Sequence, residues 1–285
     1  MNNHHGTRFP QLAYRNLRFL ESADARALRI LSEYLEPLSQ FHRVGPQRTA
    51  VIFGSARIHS REAAARALRE LQLRAKLDGS KALKAELKRA RMDLEMSHYY
   101  EDARELSRLI TAWAMTLKKG RRYLMVCSGG GPGIMEAANR GASEAGGKSI
   151  GLNIKLPMEQ KPNPYVSPEL TMLFRYFFMR KLWFAQPAQA LIVFPGGFGT
   201  MDELWEFLTL LQTRKMGQHV TILLYGSKFW KRAVDFPWLV EAGTISEEDL
   251  KLIRFVDSPR RAFEIIKTEL QPRAALPSPI KQPFM

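Results

Sequence analysis

Short apolar runs alternate with amphipathic segments along most of the chain. Residues 49–53 form a β-branched apolar run that stops at Gly54-Ser55, the pattern of a buried strand leading into a loop. Continuous apolar strands that alternate with helices predict an α/β fold, a doubly wound parallel sheet with helices on both faces. The predicted strands are 49–53, 123–127, 149–154, 170–174, 190–194, 220–225 and 253–256, and the predicted helices between and after them are 99–118, 133–145, 177–186, 200–214, 228–242, 246–252 and 258–270.

An N-terminal helical extension is predicted over residues 1–46. Ser22 is a candidate N-cap, and Gly45-Pro46 ends the segment. Leucines at spacings of three and four form one apolar stripe that we expect to pack on the core or on a neighbouring subunit. These leucines are Leu28, Leu31, Leu35 and Leu38.

Residues 61–96 predict a second appendage, a helical insertion bent near Asp78-Gly79-Ser80. The segment is rich in Ala, Leu, Arg and Lys and contains no proline. Residues 272–285 contain four prolines and are expected to form a disordered tail. The predicted organisation is therefore an extension over 1–46, a domain over 47–271 that carries the insertion 61–96, and the tail.

The chain is strongly basic, with 43 Lys and Arg against 28 Asp and Glu and a formal net charge of +15. A positive field attracts phosphorylated partners, so nucleotides and nucleic acids both qualify. Residues 61–91 hold ten Lys and Arg against four Asp and Glu, a net +6. Because aromatic residues are absent there until Tyr99-Tyr100, a solvated hairpin is favoured over a nucleic-acid arm.

Cysteine usage and hydropathy indicate a cytoplasmic protein with no membrane span. Cys127 is the single cysteine, and the apolar runs are far shorter than the ~20 residues that cross a bilayer. No N-terminal stretch has the features of a signal peptide. The histidines, among them His42, His59 and His219, are scattered without ligand spacing, so we expect neither a metal nor a cofactor.

Two glycine-rich turns each follow a predicted strand and precede a predicted helix. Residues 128–136 read SGGGPGIME and residues 195–203 read PGGFGTMDE. Glycines let the backbone approach a ligand, and the free N–H groups at a helix start form an anion site. Neither turn fits the Walker or the G-x-G-x-x-G pattern. Tight turns needed only for packing are the alternative, but two turns at the carboxyl ends of parallel strands would face one crevice.

Charged residues accompany the second turn and the helix 177–186. The helix dipole favours a carboxylate at its N-terminus by ~0.3–1 kcal/mol, which explains one acid of Asp202 and Glu203. A carboxylate beside an anion site repels the ligand unless the chemistry or the ribose hydroxyls need it. Arg180 and Lys181 point about 100° apart on their helix, so one cation can enter the crevice. Snorkelling side chains on an amphipathic helix are the alternative.

These segments resemble a known family. SGGGPGIMEAANRGA, the Met-Arg-Lys helix and PGGFGTMDE, in this order, are similar to the Lonely Guy (LOG) family of cytokinin riboside 5′-monophosphate phosphoribohydrolases and its bacterial relatives labelled AMP nucleosidase. The resemblance runs from about residue 49 to 256. It also includes GSAR at 54–57, YEDAREL at 100–106, and GLNI at 151–154 followed by PNPY at 162–165.

The resemblance implies a Rossmann-like catalytic domain over 47–271 with Arg180 and Glu203 as catalytic residues. Lys181 and Asp202 are predicted as supporting residues. The predicted substrate- and phosphate-binding residues are Gly54, Ser55, Gly130, Gly131, Gly133, Glu136, Gly196, Gly197, Gly199 and Thr200. Relatives were formerly labelled lysine decarboxylases, but Lys181 has no recognisable pyridoxal setting. The loop GSARIHSRE and the two appendages depart from the short family core.

The predicted function is hydrolysis of the N-glycosidic bond of a purine nucleoside 5′-monophosphate, either AMP or an N6-modified AMP. The alternatives are a non-catalytic nucleotide or cofactor carrier of the same fold, and a basic nucleic-acid-binding protein. A homodimer or a larger assembly of dimers is expected, because the helices at 22–38 and 177–186 offer more apolar surface than one sheet face needs.

Overall fold

A single seven-stranded sheet forms the centre of the protein. The computed structural model describes residues 11–44, 48–76, 80–117, 124–157, 161–217 and 219–272. All neighbouring strands pair in parallel, in the order β4-β3-β2-β1-β5-β6-β7. The strands are β1 (Arg48–Phe53), β2 (Leu124–Ser128), β3 (Ser149–Ile154), β4 (Thr171–Phe174), β5 (Ala188–Val193), β6 (Thr221–Tyr225) and β7 (Ile253–Val256). The predicted doubly wound Rossmann-like α/β fold is confirmed.

Helices cover both faces of this sheet. They are α1 (Leu17–Leu20), α2 (Arg26–Val44), α3 (Arg61–Ala75), α4 (Lys81–Met96), α5 (His98–Thr116), α6 (Ile134–Glu144), α7 (Phe177–Ala185), α8 (Phe198–Gln212), α9 (Ser227–Ala233), α10 (Phe236–Glu241) and α11 (Pro259–Leu270). Short 3-10 helices span Ala13–Arg15, Pro168–Leu170 and Glu247–Leu252. No helix in the described segments is both long and apolar enough to cross a bilayer.

The strands carry two hydrophobic layers, one on each side of the sheet. On β1, Val51 and Phe53 pack with the core formed by α2 and α7 to α10, whereas Ala50 and Ile52 pack with α5, α6 and α11. This alternation follows from the period of two along a strand. Every residue of β1 and β5 is buried, which explains why these strands are continuous apolar runs in the sequence.

The chain reverses its direction across the sheet between β1 and β5. From β1 it proceeds outwards to β4, and it then returns to pair β5 on the other side of β1. The loop after β1 leads towards the layer of α5, and the loop after β5 leads directly into α8 on the opposite face. In open α/β sheets, ligands bind in the crevice at this kind of reversal.

The N-terminal helix differs from the predicted one in its start and in its buried face. It begins at Arg26, and the Ser22 carbonyl accepts a hydrogen bond of 2.6 Å from Arg29 Nη1. Tyr34 and Phe41 pack on Trp183, with ring centroids 5.8 and 5.2 Å apart. These bulky aromatic side chains, rather than the leucine stripe, determine which face is turned to the core. Leu28, Leu31 and Leu35 are 45%, 50% and 49% exposed, and Leu38 is partly buried.

The other predicted elements agree with the structure, with one further exception. The basic insertion forms the helices α3 and α4, whose N-termini are capped by the Ser60 and Ser80 side chains. The helix predicted over 228–242 is wrong, because the chain is extended at Val234 and Asp235 caps a new helix, α10. Pro237 in the first turn of α10 favours this separate start. The predicted tail over 272–285 lies, beyond its first residue, outside the described residues.

Candidate active site

The second glycine turn lies at the reversal point and is open to solvent. Gly197 and Gly199 are exposed, and a Cβ built on either residue would meet no atom within 4 Å. The Gly197 carbonyl accepts hydrogen bonds of 3.0 Å from the amides of Thr200 and Met201. The amides of Phe198 and Gly199, the first two residues of α8, precede these hydrogen bonds and have no acceptor within the helix. The turn therefore offers accessible N–H donors at the positive end of a helix dipole.

Glu203 lies one helical turn further along α8, in a desolvated position. Glu203 is 2% exposed, and its Oε2 is buried without a hydrogen-bond partner among the described residues. Burial raises the pKa of Glu203 to about 7, although the nearby cations Arg180 and Lys181 oppose the shift. A carboxyl group with a pKa near neutrality in this location is typical of an active-site acid or base.

Arg180 approaches Glu203 from α7 and is held by the sheet. Its Nε donates a hydrogen bond of 2.6 Å to the carbonyl of Leu152 at the end of β3. Its Nη2 occupies the space beside Gly129, since a Cβ there would lie 2.5 Å from that atom. Burial lowers the pKa of Arg180, and the Glu203 charge opposes this shift. The guanidinium stays protonated in proteins, so the site contains a fixed cation.

Lys181 connects α7 to α8. Its Nζ lies 2.9 Å from Asp202 Oδ1 and 2.6 Å from Glu206 Oε2. Arg180 thus interacts with Glu203, whereas Lys181 pairs with Asp202 and Glu206. Different partners are expected for adjacent helical residues, which point about 100° apart. The two ion pairs of Lys181 fix the position of α8, and with it that of Glu203, relative to α7.

The first glycine turn is buried and closely packed. Gly130 and Gly133 have φ angles of +70° and +69°, which L-residues rarely adopt. A Cβ at Gly133 would lie 2.4 Å from the carbonyl oxygen of Ser55, and the same oxygen accepts a hydrogen bond of 3.1 Å from the Ile134 amide. A Cβ at Gly54 would lie 2.6 Å from Cγ2 of Ile134. The turn is therefore packed directly against the loop that follows β1.

A buried polar network beneath this turn was not predicted from the sequence. Ser128 Oγ donates to Asn139 Oδ1 over 2.7 Å and accepts from the Gly130 amide over 3.0 Å. Asn163 Nδ2 donates to Asn139 Oδ1 over 2.9 Å and to the Gly131 carbonyl over 3.0 Å. The network fixes the conformation of the turn. The sequence does contain one indication of this network, because Asn139 is a polar residue on the apolar face of the predicted helix.

The remaining predicted residues have protein partners or lie in the two turns. Glu136 Oε1 accepts a hydrogen bond of 2.7 Å from the Tyr100 hydroxyl, which joins α6 to α5. Thr200 is buried, and a Cβ at Gly196 would lie 2.1 Å from its Oγ1. Cys127 is buried in β2, where desolvation raises its pKa. In the described part of the chain, no cluster of three His, Cys, Asp or Glu residues is arranged to hold a metal.

Comparison with known proteins points to the family indicated by these motifs. Residues 135–266 match a family model described as possible lysine decarboxylase. The pyrimidine/purine nucleotide 5′-monophosphate nucleosidase of Escherichia coli K12 is 32% identical over 118 residues, which cover 38% of this chain and 26% of the relative. The chain thus spans about a quarter of the length of this curated relative. The proteins of the same name from the O6:H1 and O157:H7 strains match equally.

Solved structures with a similar fold include two proteins associated with the molybdenum cofactor. The molybdenum cofactor binding protein of Rippkaea orientalis aligns with a TM-score of 0.42 at 20% identity, covering 60% of this chain and 86% of that one. The molybdenum cofactor carrier protein of Chlamydomonas reinhardtii aligns with a TM-score of 0.40 at 20% identity, covering 61% and 89%.

The family model and the curated relative together confirm the resemblance to the LOG family. The matched region 135–266 contains α7 with Arg180 and Lys181, the second glycine turn, and Glu203. In this structure Lys181 is paired with Asp202 and Glu206.

Proposed function

We propose that this chain hydrolyses the N-glycosidic bond of a purine nucleoside 5′-monophosphate, releasing the base and ribose 5-phosphate. The substrate is AMP or an N6-modified AMP such as a cytokinin riboside monophosphate. The observation that carries the proposal is the buried carboxyl of Glu203, with Oε2 unpaired, one turn behind an exposed glycine turn. A carboxylate this close to an anion site disfavours anion binding, so its presence is explained by the chemistry of a bound ligand.

The second glycine turn is suited to the 5′-phosphate. The backbone at Gly197 and Gly199 is open, so a phosphate can reach the first amides of α8. Anchoring the phosphate there fixes the ribose over the end of the sheet, and positioning of this kind contributes several kcal/mol to catalysis.

Glu203 is the group suited to the charge that develops during cleavage. When the bond between C1′ and the base nitrogen breaks, C1′ acquires oxocarbenium character, and water adds to it. An ionised carboxylate that stabilises this charge or orients the water favours the transition state over the ground state. Arg180 cannot act as a base, and it positions the phosphate or the carboxylate.

The direct test is chromatography of products after incubation with AMP, adenosine, an N6-modified AMP and lysine. We expect free base and ribose 5-phosphate from the monophosphates, slow reaction of adenosine, and no product from lysine. Glu203→Gln protein purified in the same way is the control for contaminating hydrolases. Equal rates with adenosine and AMP would contradict the phosphate anchor.

A further inference from the structure

A second polar atom beside the site lacks a partner. Asn153 is the penultimate residue of β3 and is 4% exposed. Its Oδ1 is buried and accepts no hydrogen bond from any residue that the structure describes. Buried polar groups in native proteins are nearly always hydrogen-bonded, so each exception calls for an explanation, and a partner supplied by a ligand is one.

Asn153 lies next to the elements that form the site. A Cβ at Gly130 would come within 2.2 Å of Asn153 Oδ1, so the carboxamide is in direct contact with the first glycine turn. The preceding residue, Leu152, provides the carbonyl that holds Arg180. Arg180 in turn lies beside Gly129 and interacts electrostatically with Glu203. Asn153 is therefore linked to Glu203 through Leu152, which binds Arg180, and through the electrostatic interaction of Arg180 with Glu203.

The two unpartnered atoms share one chemical property, because Asn153 Oδ1 and Glu203 Oε2 both accept hydrogen bonds. A phosphate dianion carries no donor and cannot satisfy either atom. Sugar hydroxyls donate hydrogen bonds, and a ribose carries two of them on adjacent carbons. The unpaired acceptors are thus matched to the sugar part of a nucleotide, not to its phosphate.

We propose that Asn153 accepts a hydrogen bond from a ribose hydroxyl, after a small rotation of its carboxamide, and makes the site selective for ribonucleotides over deoxynucleotides. This proposal rests on the function proposed above. A site built around a hydroxyl discriminates strongly against an analogue that lacks it, because its own polar group then stays unpaired.

The test compares wild-type protein with Asn153→Leu and Asn153→Asp on AMP, 2′-deoxy-AMP and 3′-deoxy-AMP. Leu has similar volume and no acceptor, whereas Asp keeps the shape and the acceptor. We expect the wild-type kcat/KM to be at least about tenfold higher for AMP than for one of the deoxy analogues. Asn153→Leu should lose most of this ratio by losing activity on AMP, and Asn153→Asp should retain it.

Asn163→Leu is the matched control, since Asn163 is also buried but has partners in the polar network. This control should lower the melting temperature and reduce activity on all three nucleotides alike. Asn153→Leu should leave the melting temperature unchanged or raise it, because it removes an unpaired acceptor. If Asn153→Leu does not fold, Asn153→Ala, which also removes the acceptor, provides the same comparison of ratios.

Calorimetric binding of ribose 5-phosphate and 2-deoxyribose 5-phosphate separates this proposal from the proposed function. Wild-type preference for ribose 5-phosphate that Asn153→Leu abolishes would support the role of Asn153 even in a protein without nucleosidase activity. A wild-type protein that distinguishes neither AMP from the two deoxy analogues nor ribose 5-phosphate from 2-deoxyribose 5-phosphate would overturn it. An unchanged ratio in Asn153→Leu, or an equal loss on every nucleotide, would overturn it too.

Discussion

The two glycine turns look alike in the sequence and differ in the structure. In the first turn Gly129, Gly130, Gly131 and Gly133 are all buried. In the second turn Gly197, Phe198 and Gly199 are exposed, and Phe198 is 93% exposed. A glycine in the first turn is needed because a neighbour occupies the space of its side chain or because φ is positive. In the second turn, Gly197 and Gly199 leave a clear approach to the backbone, whereas the space beside Gly196 is occupied by Thr200.

The two turns therefore have different roles, although both were predicted to bind phosphate. The first turn packs against Ser55 and Asn153 and leaves room for Arg180 at Gly129. In the proposed nucleotide site, this turn would hold the Ser55 backbone and the side chains of Asn153 and Arg180 in place. The second turn has free space at its surface and is the better candidate for direct contact with phosphate.

Alanine substitutions should give the largest difference between the two turns. Gly133→Ala should destabilise the protein by about 3 kcal/mol or more, because φ is +69° and the Ser55 oxygen lies 2.4 Å from the new Cβ. Gly199→Ala should change stability by less than about 1 kcal/mol, since the position is open and helical. Its effect should be a raised KM for AMP.

Urea denaturation of both variants and steady-state kinetics of Gly199→Ala are the measurements. Similar losses of stability at the two positions would show that the turns do not differ in packing. An unchanged KM in Gly199→Ala would remove the second turn from the phosphate site.

Charge removal at Glu203 tests the chemistry assigned to the second turn. Glu203→Gln keeps the size of the side chain, and we expect kcat with AMP to fall by ~10²-fold or more with little change in substrate binding. Asp202→Asn is the matched variant, because Asp202 is the neighbouring acid on α8, is exposed, and pairs with Lys181 of α7. Its effect should be smaller. Full activity of Glu203→Gln at saturating AMP would show that the catalytic carboxylate lies elsewhere.

The pH dependence follows from the raised pKa of Glu203. In the proposed mechanism the ionised carboxylate is the active form, so kcat/KM should rise with pH through about 7 and level off above it. The folded state holds this proton more tightly than the unfolded chain does, so the free energy of unfolding falls as pH rises. The cost of ionising the buried Glu203 carboxyl is absent below about pH 4.5 and complete above about pH 7.

Glu203→Gln should therefore be more stable than wild type at pH 8, by roughly 1–3 kcal/mol, with the difference vanishing towards pH 4.5. Thermal or chemical denaturation at several pH values measures it. A difference that is independent of pH would mean that the pKa is not raised.

The smallest expected effect concerns assembly. Leu28, Leu31 and Leu35 on α2 and Phe177 and Phe178 on α7 are exposed on two helices that contact each other. We predict a homodimer or an assembly of dimers through this surface. Light scattering should give at least twice the mass of the chain, and Leu31→Glu should reduce it. A monomer at micromolar concentration would contradict the prediction.

Most of the fold was predictable because parallel strands are buried on both faces and leave continuous apolar runs. All seven strands were predicted within two residues of their bounds. The buried face of α2 was not predicted correctly, because the sequence allows either the leucine stripe or the face with Tyr34 and Phe41 to be buried. The buried face is determined by contacts with Trp183, which lies about 140 residues further along the chain.

The candidate site shows the same limit. The motifs predicted Arg180 and Glu203 as site residues, and the structure places both near the second glycine turn. They did not indicate the Leu152 carbonyl that orients Arg180 or the Asn153 oxygen that has no partner among the described residues. The network of Ser128, Asn139 and Asn163 joins separate parts of the chain. Local patterns contain no information on such contacts, since they depend on how the strands and loops are brought together.

The N-terminal helix has a consequence for the smallest working unit of this protein. Glu33 of α2 accepts hydrogen bonds of 2.7 and 3.1 Å from the amides of Arg175 and Tyr176, and its carbonyl accepts one of 3.0 Å from Trp183 Nε1. These contacts hold both ends of the helix that carries Arg180. A shortened protein that starts at β1 would keep the candidate catalytic residues Arg180 and Glu203 and lose these contacts to α7. Removing the extension is therefore expected to disturb the position of Arg180.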